Sequence, residues 1–214
     1  MHWTIAGLYV GRAADFGPKG EPSAIVKSPV DRAEVTHLGL AGDEQADLSV
    51  HGGHDKALHL YPRDHYDWWR EHWPNLRGAL EGGAMFGENL SVVAIDERDL
   101  SIGDRFRLGT ALVEVSQGRQ PCWKLGHRFG DPALVAAVVQ SVRCGWYLRV
   151  IEPGRVTAGD AMTCVERPRA DLTVDRVFRA LFHPDPDRAL LTELAGLATL
   201  AQSWRERALQ RLRA

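Results

Sequence analysis

Three cysteines in 214 residues are too few and too scattered for a disulfide framework, and an odd count cannot pair completely. The expected compartment is therefore the reducing cytoplasm, where a thiolate survives. No stretch approaches the ~20 apolar residues of a membrane span, so no membrane partner is expected. Met1-His2-Trp3-Thr4 lacks the basic and apolar regions of a secretion signal. A charge excess is missing too: 26 Lys and Arg against 28 Asp and Glu leave a formal net charge of −2. That excludes the basic surplus of a general nucleic-acid binder, and no nucleic-acid polymer is expected as partner. Internal repeats and low-complexity tracts are absent. No flavin, haem or iron–sulfur motif occurs, pyridoxal phosphate is not expected, and no Gly-x-Ser-x-Gly elbow surrounds Ser116. What is present is ordinary for a soluble globular chain, long enough for one large domain or for one with a small appendage.

Residues 1 to 167 carry short strand signals separated by turns. Ala24-Ile25-Val26 is one apolar run. Arg105 to Leu108 alternates polar and apolar, and Gly109-Thr110 turns it into Ala111 to Val115, which predicts a hairpin. Tyr147 to Ile151 and Arg155 to Thr157, joined by Pro153-Gly154, predict a second, and Ala161 to Val165 a last strand. Many short strands favour an antiparallel barrel. Two helices interrupt them and are expected to pack over it. The first has Pro62 at its start and Tyr66, Trp69 and Trp73 on one face. The second opens at Asp131-Pro132, carries Leu134, Val135, Val138 and Val142, and stops by Gly145. The fold class is mainly β with flanking helices. Composition changes at Glu166 to Arg169, so residues 168–214 are expected as a small three-helix extension. Thr173 caps its first helix, whose Val174, Val177, Phe178, Leu181 and Phe182 form one stripe. The second carries Leu190, Leu194 and Leu197 and ends at Gly196; the third carries Leu200, Trp204 and an Ala208-Leu209-Leu212 side. The extension docks either on the barrel or on a second subunit, and a homodimer is one expectation.

Chemistry concentrates in a few islands. Arg119-Gln120-Pro121-Cys122-Trp123-Lys124 sets a cysteine between two cations. Fixed positive charge favours the thiolate, a nucleophile and a soft metal ligand, and Pro121 stiffens the loop around it. Gly42 to Asp47 is followed by His51-Gly52-Gly53-His54-Asp55-Lys56. Paired glycines can point successive N–H groups at an anion, and Lys56 would add charge; the plain alternative is a polar turn. Phe86-Gly87-Glu88-Asn89-Leu90 is a third island, read either as a site or as a tight turn with Asn89 left-handed. Cys144 and Cys164 are expected as small buried hydrophobes. His51, His54, His59, His65 and His72 invite zinc, but their spacing matches no zinc motif.

These islands, with Ile102-Gly103-Asp104 and Ser116-Gln117-x-Arg119-x-Pro121-Cys122-x-Lys124-Leu125, resemble the MOSC domain (molybdenum cofactor sulfurase C-terminal-like), in its YiiM-like branch linked to hydroxylaminopurine resistance. The resemblance covers nearly the whole chain and includes the helical tail. It implies a β-barrel over 1–167 that binds a molybdenum–pterin cofactor, with Cys122 as metal ligand. By the same resemblance Arg119 would clamp the cofactor phosphate, with Lys124 as a further charge. Gly52, Gly53, Asn89, Ser116 and Gln117 would complete the cofactor-binding set, and Asp55 would orient His51, His59 or Lys56. His51 would donate protons. The implied activity is reduction of a small N-hydroxylated substrate, such as a purine base, with electrons from a separate reductase. Two positions depart from the family pattern: Gly118 and His54 stand where prolines are expected, which would loosen their loops. Two other readings stand beside this one: a module in which Cys122 carries sulfur or cofactor without turnover, and a zinc-dependent hydrolase.

Overall fold

Strands with one face buried dominate the first three quarters of the chain. They begin with β1 (His2–Val10), β2 (Ala14–Asp15), β3 (Pro22–Ser23), β4 (Ser28–Pro29), β5 (Arg32–Thr36) and β6 (Gly39–Leu40). β7 (Leu58–Pro62) and β8 (Leu90–Val92) bracket α1 (His65–His72). β9 (Arg105–Leu108) and β10 (Ala111–Gly118) lead into α2 (Trp123–Phe129) and α3 (Ala133–Ser141). β11 (Trp146–Glu152), β12 (Gly154–Thr157) and β13 (Ala161–Glu166) follow, then α4 (Val174–Phe182), α5 (Arg188–Gly196) and α6 (Gln202–Arg213). This computed structural model describes residues 1–46, 52–76 and 78–213.

Seven strands close on themselves in the order β13-β9-β10-β11-β7-β8-β1, with β1 pairing back to β13. Closure removes the exposed edges that an open sheet must protect. The barrel is mixed rather than antiparallel throughout, because β7 and β8 run parallel. A parallel pair needs a long crossover, and α1 with its following turns supplies it.

The hairpin of β9 and β10 forms as read, with Gly109 at φ +55°. The second predicted hairpin does not. β11 already has β10 on one edge and β7 on the other, so β12 pairs with β5 in a separate three-stranded sheet. Ala24 to Val26 forms no strand. Pro62 closes β7 instead of opening α1, and Tyr66 and Trp69 are buried as expected. α3 stops at Val142, left-handed at φ +57°, before Gly145 is reached. Cys122 ends the short loop of residues 119–122 between β10 and α2: it is the extended residue before α2, and Leu125 N donates to its carbonyl at 3.0 Å. Cys144 is buried as read, whereas Cys164 is only partly so.

The tail docks on the barrel. Thr173 caps α4 by accepting from Arg176 N, and Ala201 N donates to the Ser116 carbonyl at 3.0 Å. Val174, Phe178, Leu191 and Trp204 join the same apolar core as the barrel strands. Leu209, expected on the buried side of α6, is exposed. Gly118 explains the close approach: a Cβ there would sit 2.9 Å from the Trp204 ring and 3.1 Å from Val174. The glycine is buried at the end of β10, so the missing proline makes room for the tail rather than loosening a loop.

Candidate functional site

One cleft, with about 650 Å³ of empty space opening to solvent, gathers most of the polar islands. The ends of β7, β10 and β11 form its floor through His59, Arg119 and Tyr147. Ser23 to Ile25 and Lys27 form one wall, Phe86, Gly87 and Asn89 another, and Cys122 and Lys124 a third. The cations Lys27, Lys56, Arg119 and Lys124 outnumber the acids Asp43 and Glu44 along this lining.

Arg119 follows the last rung of the β10–β11 ladder, and its amide donates to the Gly145 carbonyl at 2.9 Å. Its side chain is buried and reaches the Phe86 carbonyl at 3.5 Å. Arg119 Nη1 and His59 Nε2 are buried without hydrogen-bond partners among the described residues. Desolvation pushes His59 down from 6.5 to about 3; the charges of Arg119 and Lys27 add to this, and the nearby carbonyls of Gly87 and Cys144 oppose it. His59 is therefore a neutral ring at physiological pH, tilted against Tyr147 at 5.3 Å. Burial raises the Tyr147 phenol; Arg119 counters this through its charge and a side-chain hydrogen bond, and Cys122 adds to the rise. Cys122, Tyr147, Arg119 and His59 thus form one electrostatic cluster.

The opposite wall is a buried ion pair. Lys27 Nζ bonds Asp43 Oδ1, both side chains nearly inaccessible. Asp43 also accepts from Gly11 N at 2.7 Å and Asn89 Nδ2 at 2.8 Å. Burial lowers the proton affinity of Lys27, and Asp43 partly restores it. Asn89 braces the barrel: its Oδ1 accepts from His59 N at 3.0 Å and its Nδ2 also reaches the Tyr9 carbonyl. Asn89 has ordinary backbone dihedrals, and Gly87 takes the left-handed turn instead, at φ +80°. Lys124 lines the cleft while donating to the Pro22 carbonyl at 2.6 Å, which ties the β2–β3 hairpin down. Burial also lowers the proton affinity of Lys56, with Asp55 pulling the other way.

The expected residues separate accordingly. Cys122, Arg119, Lys124, Asn89 and Gly52 line the cleft. Ser116 and Gln117 do not: they are buried side by side in β10 and bond elsewhere. The Ser116 hydroxyl, which has one proton, lies within bonding distance of both the Asp55 and the Tyr147 carbonyls, and Gln117 Oε1 accepts from Ser203 of the tail. Gly53, at φ +81°, stands one residue beyond the lining. Asp55 orients none of the described histidines; it pairs with Arg149 at 2.8 Å, accepts from Gln202 N, joining barrel to tail, and its charge raises the proton affinity of Lys56. His51 lies outside the described residues. Lys27, His59 and Tyr147 were not expected as cleft groups. Lys27 meets Asp43 across 16 residues of sequence, a pairing that no local pattern marks. For zinc, His65 is held by Glu97 at 2.8 Å and His72 is stacked on Trp68. Among the described residues no group of three His, Cys, Asp or Glu side chains converges on a metal position, and no helix is long and apolar enough to cross a membrane.

Comparison with known proteins gives the same outline. The MOSC domain model matches residues 47–163, and the YiiM-like, 3-alpha helix domain model matches residues 172–214. Protein YiiM of Escherichia coli (strain K12) is 41% identical over 199 residues, covering 92% of this chain and 87% of that protein. A reductase of Gibberella moniliformis (strain M3125 / FGSC 7600) is 40% identical over 146 residues, which is 66% of this chain and 26% of that protein. The crystal structure of YiiM from Geobacillus stearothermophilus superposes with a TM-score of 0.82 at 31% identity, covering 98% of this chain and 99% of that one.

Proposed function

This chain belongs to the MOSC domain family, with a YiiM-like three-helix extension, and from that premise we propose that it is a molybdenum-cofactor-dependent reductase of small N-hydroxylated compounds. A molybdenum-cofactor-related function follows from the family. The finer reading rests on one observation: Cys122 lines the same cleft as a buried guanidinium, Arg119, that lacks a partner on Nη1 among the described residues. A thiolate suits a soft metal, and a buried guanidinium with a nitrogen lacking a partner suits a phosphate. These residues fit an anionic pterin group that carries both a phosphate and a metal. The name of one relative, a reductase, agrees with the reaction class.

In the proposed complex Cys122 holds the metal, and Arg119 holds the phosphate with Lys124 adding charge. The bound group supplies two-electron redox chemistry and an oxygen-accepting metal. Reduction of R–NHOH consumes two electrons and two protons, breaks the N–O bond and yields R–NH2 and water. The electrons come from a separate reductase, since this chain has no other redox motif. His59 does not deliver protons near neutrality, because burial keeps it deprotonated down to about pH 3; it offers a neutral hydrogen-bonding edge. Lys27 and Lys56, cations of lowered proton affinity in the same cleft, are the described groups suited to protonate a leaving hydroxyl.

Metal analysis of protein made in a cofactor-competent host tests this reading, together with turnover of an N-hydroxylated purine by an artificial electron donor. Wild type is expected to retain molybdenum and turn over, whereas Cys122→Ala loses both and keeps its unfolding temperature. Full activity in that variant overturns the proposal. A persulfide on Cys122 with no turnover would favour the carrier reading instead.

A further inference from the structure

Behind the cleft, between β8 and β9, sits a buried carboxylate that no part of the proposed chemistry uses. Glu97 Oε1 accepts from Cys144 N at 3.0 Å and Gly145 N at 2.7 Å, and its Oε2 meets His65 Nε2 at 2.8 Å. Glu97 and His65 are both buried, and they border a second, smaller cavity with Arg143. The turn that Glu97 grips is the one that reaches the cleft. The Gly145 carbonyl takes the Arg119 amide at 2.9 Å, just past the last β10–β11 rung, Gly118 opposite Trp146. Gly145 is left-handed at φ +70°, and a Cβ there would sit 2.5 Å from the Leu60 carbonyl and 2.9 Å from His59 Nε2. The turn is therefore pressed onto the His59 ring as well.

We propose that Glu97 is a positioning residue for the cleft, acting through the Cys144–Gly145 turn to fix Arg119 and His59 for anion binding. This rests on the cofactor reading above for the identity of the anion, though not for the mechanical link. A carboxylate bridging two adjacent N–H groups is a strong, directional anchor. A guanidinium clamp works only where its supporting groups hold it in place. Glu97 touches neither cleft nor ligand, so its effect must pass through backbone.

The test uses the full-length apoprotein, with inorganic phosphate as the probe, titrated by calorimetry. Glu97→Ala is expected to weaken phosphate binding by about tenfold, as loss of a supporting partner does in comparable sites. Glu97→Gln keeps an oxygen acceptor but loses its charge, and is expected to fall between wild type and Glu97→Ala, at roughly threefold. It decides the matter should Glu97→Ala fail to fold. Leu191→Ala, in a buried tail position remote from the turn, serves as the destabilised control and should bind phosphate as wild type does. Hydrogen exchange of the Arg119 amide reads the link without any ligand, and should quicken in Glu97→Gln and not in Leu191→Ala. Wild-type exchange at Arg119 in Glu97→Gln, or an equal loss of phosphate affinity in Leu191→Ala, overturns the proposal. Wild-type protein that binds no phosphate, combined with faster Arg119 exchange in Glu97→Gln, would sink the anion-binding reading of the cleft and leave the positioning link standing.

Discussion

Two neighbouring residues at the end of β10 face opposite worlds. Gly118 lies under Trp204, Val174 and Phe178 in a dry seam between barrel and tail. Arg119, the next residue, enters a cleft open to solvent with a guanidinium nitrogen that lacks a partner among the described residues. The seam is built as a core is built, by close apolar contact and capped helix ends. The cleft breaks the same rules: a buried ion pair and a buried neutral histidine sit with two nitrogens, His59 Nε2 and Arg119 Nη1, that lack partners among the described residues. Buried polar atoms without partners cost stability, and such a concentration is expected where binding, not folding, sets the requirement. Stability and ligand affinity should therefore respond to different residues on the two sides of one peptide bond.

The largest expected effect breaks the seam. Trp204→Ala removes a nearly inaccessible indole packed edge-on against Phe178 and Phe182. Loss of such a ring costs about 3–5 kcal/mol, enough to lower the unfolding temperature by roughly 10 °C in a chain of this size. Phosphate affinity of the remaining folded protein should not change. A parallel fall in affinity would show that seam and cleft are coupled, and the contrast drawn above would fail.

The next effect breaks the cleft wall. Asp43→Asn leaves Lys27 buried beside a neutral amide. Removing one partner of a buried pair costs about 3 kcal/mol, the low end of the usual range, because Lys27 already sheds its proton more readily than an exposed lysine. Adding Lys27→Met removes the stranded charge, so the double variant should recover most of the lost stability in urea unfolding. It should still bind phosphate more weakly than wild type, having lost a cleft cation. A double variant as unstable as Asp43→Asn would place the cost in the contacts of Asp43 to Gly11 and Asn89, not in the ion pair.

What could be read in advance divides along the same line. The seam was legible because amphipathic stripes and caps are local: Thr173, Val174, Val177, Phe178 and Leu181 announce a docking helix within nine residues. The Cys122 island was legible because its cations and proline are sequence neighbours. The rest of the cleft was not, since Lys27, Asp43, His59 and Tyr147 come together only when β7, β11 and the Ser23–Lys27 wall converge. Ser116 and Gln117 misled for a related reason. Burial in β10, with a register shift between Val115 and Gln117, takes Ser116 onto the Asp55 and Tyr147 carbonyls and Gln117 onto the tail, and proximity in sequence to Cys122 carried no information about facing. Pro62 and the second predicted hairpin failed because strand edges were already occupied by partners distant in sequence.

The smallest of these effects tests the cleft by pH. His59 titrates near 6.5 when unfolded and near 3 in the folded chain. Its folded value is depressed, so between about pH 6.5 and pH 3 the unfolded state binds the extra proton. Stability contributed by keeping this ring neutral is thus whole above pH 6.5 and drains away as pH falls toward 3. Between pH 7 and pH 5 the loss from this one group is about 2 kcal/mol. His59→Asn, which cannot protonate in this range, should flatten that part of the stability profile by a like amount in urea unfolding at the two pH values. Equal slopes for the variant and wild type would mean that His59 takes up its proton inside the fold, and the neutral floor assigned to the cleft would be wrong.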